Sequence, residues 1–417
     1  MTPATIKAAD AAQFLSLLPH LLGYVPTRSL VLVPFHGSRS LGAMRFDLPD
    51  ASEAGAHDRF AATAIGMACR VEETDAVAMV AYTDQRFDSQ QRMPHGVLLD
   101  ALRSRADACG LRVTDALCVG ADGWGSRLDP ACPLLGRPLK EIETEVPALT
   151  GAPTGDQLSG AELPLADADE RRFVAQASAA LEEAIRIICG DEDGSPVAGE
   201  DEETFPAVGG ERPIGLGAVP APIDGDSVPP DPREDRGPGT RVDPRALTTA
   251  CRLDDLPDLF EDALTWPPDH LEPFDVAALA WCLSRPSLRD VALVQWSGDL
   301  AQGDEALDAQ LRWEAGEEYP TDLAMRMWGE GDRPDVARLE AALALVRRVA
   351  AAAPRRLQAG PLAMCAWLSW ALGRSTHADA HASQACEIDP EHGLAEIVRS
   401  FVAAGHLPDW AFRHPSR

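Results

Sequence analysis

The alternation of apolar and polar residues divides the first part of the chain into a helix and a β-hairpin. Residues 9–18 have the spacing of a short amphipathic helix, which we expect to break at Pro19. The valine-rich apolar run 29–35 is typical of a strand buried on both faces. Gly37 lies in the turn that follows, and 41–49 predicts the returning strand.

Helices and strands alternate after this hairpin. Apolar spacing predicts helices over 56–70 and 95–110. Strands are predicted over 75–84, 112–120 and 123–129. This order is typical of an α/β fold, and the hairpin at its start makes the sheet mixed.

The composition changes after a long amphipathic helix predicted over 168–189. The following segment is rich in Pro, Gly and acidic residues and nearly free of aromatics, which is typical of disordered sequence. Beyond it the pattern is helical, with Gly or Pro at the turns. We therefore predict an α/β domain over 1–189, an acidic disordered linker over 190–245 and an all-α domain of helical hairpins over 246–417.

One stretch of the helical part resembles a tetratricopeptide-type helical hairpin. Trp367 and Gly373 are followed by the small residues Ala378, Ala382 and Ala385. Small residues at these positions let two helices pack closely. We expect stacked hairpins of this kind to form a platform for a protein partner.

The charge balance limits the classes of partner. The chain has 37 basic and 66 acidic residues, a net charge of −29. An acidic surface argues against direct binding of nucleic acid and of anionic lipid. The sequence has neither a basic leader nor an apolar run long enough to span a membrane, and its nine cysteines form no Cys-x-x-Cys pair. We therefore expect a cytoplasmic protein that binds neither nucleic acid nor membrane.

Familiar catalytic and cofactor motifs are missing from the sequence. It contains no phosphate loop, no Gly-x-Ser-x-Gly elbow and no His-Glu-x-x-His. Gly120, Gly123 and Gly125 do not have the spacing of a dinucleotide-binding loop. His377 and His381 stand four apart on a predicted helix, but no third ligand is evident and we interpret them as an exposed face. We predict no metal and no cofactor.

Five residues form a candidate cleft in the α/β part. Arg45 and Asp47 point to the same face of their strand, because side chains repeat every two residues. His20 stands just before the neighbouring strand, and Trp124 and Ser126 lie among glycines after a later strand. A structural interpretation stands beside this one: the Arg–Asp pair could be buried, and His20 could satisfy the backbone of its corner. We slightly favour the structural role for His20.

The stretches PHLLGYVPTRSLVLV, RFDLP and DALCVGADGWGSRLDPACPLLGRPL are similar to the bacterial, mainly actinobacterial, family catalogued as domain of unknown function 4192. The matching positions are Pro19, His20, Leu21, Leu22, Gly23, Pro26, Ser29, Leu30, Val31, Arg45, Asp47, Leu48, Pro49, Trp124, Ser126, Cys132, Pro133, Gly136 and Pro138. The family often has paired cysteines where this chain has only Cys132, which argues against a metal or redox role there. The resemblance implies no particular activity.

Three functional hypotheses follow. The leading one is a non-enzymatic interaction or regulatory module, in which the helical part binds an unidentified protein. The second is a small-ligand binder or hydrolase-type enzyme, with His20 as acid or base, Arg45 as an anion clamp and Asp47 orienting it. The third is mimicry of nucleic acid by the acidic surface.

Overall fold

The computed structural model describes residues 8–50, 55–87, 93–142, 153–189 and 242–413. The strands are β1 (Ser29–His36), β2 (Arg39–Ser40), β3 (Met44–Asp47), β4 (Ala76–Tyr82), β5 (Arg112–Val119) and β6 (Trp124–Ser126). The first four α-helices are α1 (Ala11–Leu22), α2 (Ala56–Arg70), α3 (Gly96–Ala108) and α4 (Ala168–Cys189). The others are α5 (Pro244–Arg252), α6 (Leu256–Ala263), α7 (Pro273–Leu283), α8 (Pro286–Ser297), α9 (Leu300–Glu314), α10 (Thr321–Met327), α11 (Val336–Ala352), α12 (Ala359–Ala371), α13 (Ser375–Ile388) and α14 (Gly393–Ala403).

The predicted fold class is confirmed. The predicted linker 190–245 lies outside the described residues except at its end, where α5 already begins at Pro244.

The strands form one mixed sheet in the order β2-β1-β4-β5-β6, with β3 also paired to β1. β1 is antiparallel to β4, whereas β4 and β5 are parallel. The predicted returning strand is divided into β2 and β3, which pair with opposite ends of β1. As a result, β3 forms an edge of the sheet beside the start of β1.

The first helix differs from the sequence prediction. α1 does not break at Pro19 but continues to Leu22, so His20 lies in its last turn and not at a corner. Gly23 ends the helix with φ 82°, and its N–H donates to the carbonyl of Pro19 at 2.8 Å. Pro19 has no N–H to donate to the carbonyl of Leu15, so the helix continues through it with one backbone hydrogen bond fewer, and Gly23 readily adopts the left-handed conformation that ends the helix.

Helices cover both faces of the sheet. α1 packs on one face, where Leu15 and Leu18 meet Val31 and Val33 of β1. α2 and α3 pack on the other face, against Leu30 and Leu32, whose side chains alternate with Val31 and Val33 along β1. This arrangement explains the continuous apolar run of β1, which is buried on both sides.

The helical part, which comprises α4–α14, is built around α12. All 13 residues of α12 are buried, and α11, α13 and α14 pack against it. α12 and α13 form the predicted hairpin, with Gly373 at φ 76° between them. Ala378, Ala382 and Ala385 are fully buried, as the close packing of this hairpin requires. The hairpin therefore forms part of the core of the helical part.

Helix α4 precedes the acidic segment but packs against helices that follow it. Its buried residues Ala177, Leu181 and Ala184 form one apolar cluster with α5 and α7. The α/β domain predicted over 1–189 includes this helix. In the structure its contacts are with the helical part.

Two helical glycines allow the packing of the helical part to be tested. A Cβ atom at Gly360 of α12 would lie 2.1 Å from the carbonyl oxygen of Leu283, whereas one at Gly66 of α2 meets nothing within 4 Å. We expect Gly360→Ala to lower the free energy of unfolding by about 2 kcal/mol. Gly66→Ala should raise it by about 0.5–1 kcal/mol. Urea denaturation measures both, and equal stability of the two variants would contradict the close contact of α7 and α12.

Polar contacts join the sheet part, which comprises β1–β6 and α1–α3, to the helical part. The guanidinium of Arg70 at the end of α2 lies 3.9 Å from the ring centre of Phe412 and 2.9 Å from the carboxylate of Asp409. The N–H of Glu72 donates to the carbonyl of Phe412 at 3.1 Å. The last described residues of the chain thus dock on the end of α2, and a cleft lies beside this contact.

Candidate functional site

A cleft of about 970 Å³ lies where the sheet part and the helical part meet. One wall comprises the end of α1, the edge strand β3 and one side of α2. The other comprises α11, the α12–α13 hairpin and the segment 410–412, and residues 157–160 also line the space. We call this space the β3 cleft.

Arg45 of β3 joins the two walls of the cleft. Its Nε donates to the hydroxyl of Ser29 at 2.8 Å, and its Nη1 donates to the hydroxyl of Thr376 in α13 at 3.0 Å. Its Nη2 donates to the carboxylate of Asp47. The predicted placement of Arg45 and Asp47 on one face is thereby confirmed. The Arg45 side chain is 10% exposed and all three of its nitrogens are engaged, so its first role is to hold the walls together.

Tyr24 lines the cleft beside this pair. Burial raises the pKa of its phenol, the charge of Arg45 lowers it, and the charge of Asp47 raises it. Burial is the largest of these effects, so the phenol stays protonated at neutral pH. Tyr24 therefore offers a neutral hydroxyl to the cleft.

The two histidines of α13 line the opposite wall, and the interpretation that they form an exposed face was wrong. His381 is only 1% exposed, and its Nδ1 has no hydrogen-bond partner among the described residues. Burial, with smaller contributions from Arg347 and His377, lowers the pKa of His381 to about 4. Burial also lowers the pKa of His377. His381 is therefore neutral at physiological pH.

Arg347 of α11 supplies positive charge to the same corner. Its Nη2 donates to the carbonyl of Glu162, and its buried Nε has no partner within the described ranges. Its charge contributes to lowering the pKa of both His377 and His381. We call the three residues Arg347, His377 and His381 the cationic corner.

The segment 153–162 connects this corner to the sheet part. The amide oxygen of Gln157 accepts from the backbone N–H of Thr27 at 3.1 Å, and the N–H of Val25 donates to the carbonyl of Gly155 at 2.9 Å. On the other side, interactions of the His377 ring with the backbone of Gln157 and of Ser159 raise its pKa and partly oppose the effect of burial. The segment is thus held by both walls of the β3 cleft.

The other predicted site residues lie elsewhere. His20 is half-buried in α1 and does not line the cleft, although Leu21 and Leu22 do. Trp124 is buried under α1, and its indole Nε1 has no partner in the described part of the chain. The hydroxyl of Ser126 donates to the carboxylate of Asp115 at 2.5 Å.

Of the five candidates, the structure brings only Arg45 and Asp47 into the cleft.

The charged residues that line the cleft are mostly basic. They are Arg45, Arg333, Arg347, Arg374, Asp47 and Asp379. Arg374 pairs with Glu340 at 2.6 Å, and Arg333 donates to the carbonyl of Arg413 at 3.3 Å. Since Arg45 is paired with Asp47, only Arg333 and Arg347 have no carboxylate in direct contact among the described residues, in a chain of net charge −29.

No pattern in the sequence predicts the cationic corner. The His-x-x-x-His spacing was visible, but the burial of that face comes from α11 and segment 153–162, which lie far from α13 in the chain. Arg347 offered no motif at all, because it sits in an ordinary amphipathic helix. Only the docking of the two parts brings these side chains together.

Metal and membrane chemistry receive no support from the described residues. They include no group of three or more His, Cys, Asp or Glu side chains that could hold a metal ion. Within the same ranges, no helix combines the length and apolar character needed to cross a membrane.

Comparisons with known proteins place the chain in a family. No curated protein and no solved structure matches it. The family described as "Domain of unknown function (DUF4192)" matches residues 12–203 and 322–409, more than half of the chain. Apart from residues 410–412, every residue that lines the β3 cleft lies within these two matched segments. The chain therefore belongs to the family of the domain of unknown function DUF4192.

Proposed function

We propose that this protein binds a small molecule in the β3 cleft. The observation that carries the proposal is a cleft of ligand size whose two walls, from separate parts of the chain, present polar groups to one space. His381 Nδ1 and Arg347 Nε are buried there without partners among the described residues. Buried polar groups normally find a partner, and both atoms are closed to solvent in this structure, so a bound molecule reaches them only with a small shift of the cleft wall.

The hydrolase-type hypothesis receives less support than binding. It requires His20 as acid or base near Arg45 and Asp47, but His20 does not line the cleft. Ser126 is bonded to Asp115 away from this space. The function proposed is therefore ligand binding.

The protein-interaction hypothesis also receives less support. It relies on stacked helical hairpins over 246–417 as a platform, but in the hairpin that resembles a tetratricopeptide repeat α12 has no exposed residue. The small residues of α13 are buried, which favours a structural role for the hairpin. The β3 cleft is the stronger candidate for a binding surface.

A bulky side chain in the cleft should abolish binding. Thr63 is an exposed residue of α2 that lines the cleft, so Thr63→Trp would fill the space without disturbing the core. Small molecules that copurify with the full chain would be released by denaturation and identified by mass spectrometry. Each would then be tested for raising the melting temperature. We expect a ligand to raise the melting temperature of the wild type and not that of Thr63→Trp.

The matched control is Ser104→Trp. Ser104 is an exposed residue of α3 and does not line the cleft. This variant should respond to the ligand as the wild type does. Equal responses of Thr63→Trp and the wild type would refute binding in the β3 cleft.

A further inference from the structure

We infer that the β3 cleft recognises a phosphorylated organic molecule, whose phosphate is held by the cationic corner. The inference rests on the proposed function and specifies the class of its ligand. The cationic corner, formed by Arg347, His377 and His381, belongs to helices α11 and α13.

Arg347 is the anchor of this corner. One of its terminal nitrogens is used by the carbonyl of Glu162, a neutral acceptor, and its buried Nε has no partner among the described residues. No carboxylate among the described residues is in direct contact with the guanidinium, although the charge of Arg347 contributes to lowering the pKa of the nearby Glu162 carboxylate. A planar guanidinium with free donors matches the oxygens of a phosphate group, and charge-assisted bonds of this type are strong.

His381 supplies the second indication of a ligand. It is 1% exposed, lines the cleft and has an unpartnered Nδ1 within the described part of the protein. A neutral imidazole can donate from one ring nitrogen, so His381 can bond a phosphate oxygen without bringing a further buried charge. The corner thus combines one permanent cation with one neutral donor, since the ring of His377 already interacts with the backbone of the segment 153–162.

The sign of the ligand's charge follows from the surrounding residues. Arg347 and Arg374 contribute to lowering the pKa of His377, which shows that positive charge is felt inside the cleft. A cationic ligand would meet this repulsion, whereas an anion would be attracted. A phosphate monoester carries a charge of about −1.5 to −2 at neutral pH and gains more from several arginines than a single carboxylate does.

The remaining space indicates an organic body attached to the phosphate. Inorganic phosphate would fill a small part of about 970 Å³. Apolar side chains line the rest, including Leu21, Phe46, Leu339 and Leu343. Apolar walls with a few placed polar groups are typical of sites for organic ligands.

Titration calorimetry on the full chain tests the inference with three probes. Phenyl phosphate carries both features, inorganic phosphate carries the charge alone, and benzoate carries a ring with a single charge. We expect phenyl phosphate to bind more tightly than either of the others. Arg347→Gln should weaken phenyl phosphate at least about tenfold, because a bond to a charged group is lost.

Two further variants keep the test independent of folding defects. Arg347→Lys retains the positive charge but not the planar set of guanidinium donors, and it should weaken binding less than Arg347→Gln does. Arg312→Gln removes an exposed arginine of α9 that lies outside the cleft, and it should bind as the wild type does. Melting temperatures of all variants report their folding.

Equal affinity for phenyl phosphate and benzoate would overturn the inference, as would equal affinity of Arg347→Gln and Arg312→Gln. If none of the probes binds but a copurified molecule is lost in Thr63→Trp, the phosphate inference fails and the proposed function stands. If neither experiment detects a ligand, both fail.

Discussion

Replacing Asp290 by alanine is expected to lower the free energy of unfolding by about 3–5 kcal/mol, because it leaves a buried guanidinium without its counter-ion. Arg289 and Asp290 are neighbours in α8, both buried, with Arg289 Nε 2.9 Å from a carboxylate oxygen of Asp290. Burial raises the pKa of Asp290, and Arg289 opposes this effect. Burying the pair therefore costs free energy, and removing only one of its two residues costs more because the other charge stays buried.

The double variant Arg289→Met, Asp290→Ala separates these two costs. It removes the unpaired cation, so we expect it to recover most of the stability lost in Asp290→Ala. Urea denaturation of the wild type, Asp290→Ala and the double variant at neutral pH measures the differences in their free energies of unfolding. A double variant less stable than Asp290→Ala would show that Arg289 has stabilising contacts independent of the carboxylate.

Acid is expected to destabilise the protein well above the usual range of carboxylate titration. His381 and His392 each have a pKa of about 4, lowered first by burial, against an ordinary value of 6.5. Their neutral forms are preferred in the folded state, so protonation favours unfolding. Each therefore contributes stability that is complete above pH 6.5 and is lost as the pH falls towards 4, by about 3 kcal/mol per residue.

The His381 contribution can be isolated with His381→Gln. The variant lacks the titrating group, so its free energy of unfolding should fall less steeply between pH 6.5 and 4 than that of the wild type. Chemical denaturation at a series of pH values gives both slopes. His270→Gln replaces an exposed histidine and should keep the wild-type slope. Parallel slopes for His381→Gln and the wild type would show that His381 titrates normally.

The secondary structure of the sheet part could be predicted closely because its signals are local. The valine-rich run of β1 and the helix spacing of α2 correspond to the structure within about one residue. The end of α1 could not be predicted, since the packing of the helix on the sheet outweighs the cost of Pro19 and the helix ends only at Gly23. Local rules placed the break four residues too early.

The candidate site was predictable only where it depends on one strand. The two-residue period of β3 brought Arg45 and Asp47 to one face. Arg45 and Thr376, which are hydrogen-bonded, are 331 residues apart in the sequence, and no local pattern predicts a contact over such a separation. His381 was misjudged for the same reason, because a helix face surrounded by alanines is exposed or buried according to what docks on it.

The packing of α4 has a consequence for chain length. Since α4 contacts α5 and α7, the two ends of the connection between Cys189 and Pro244 belong to one packed unit. The entropy of closing such a loop grows only logarithmically, and each doubling of its length costs about 0.6 kcal/mol. A change in the length of this connection should therefore have little effect on the β3 cleft, provided that α4 keeps its apolar face.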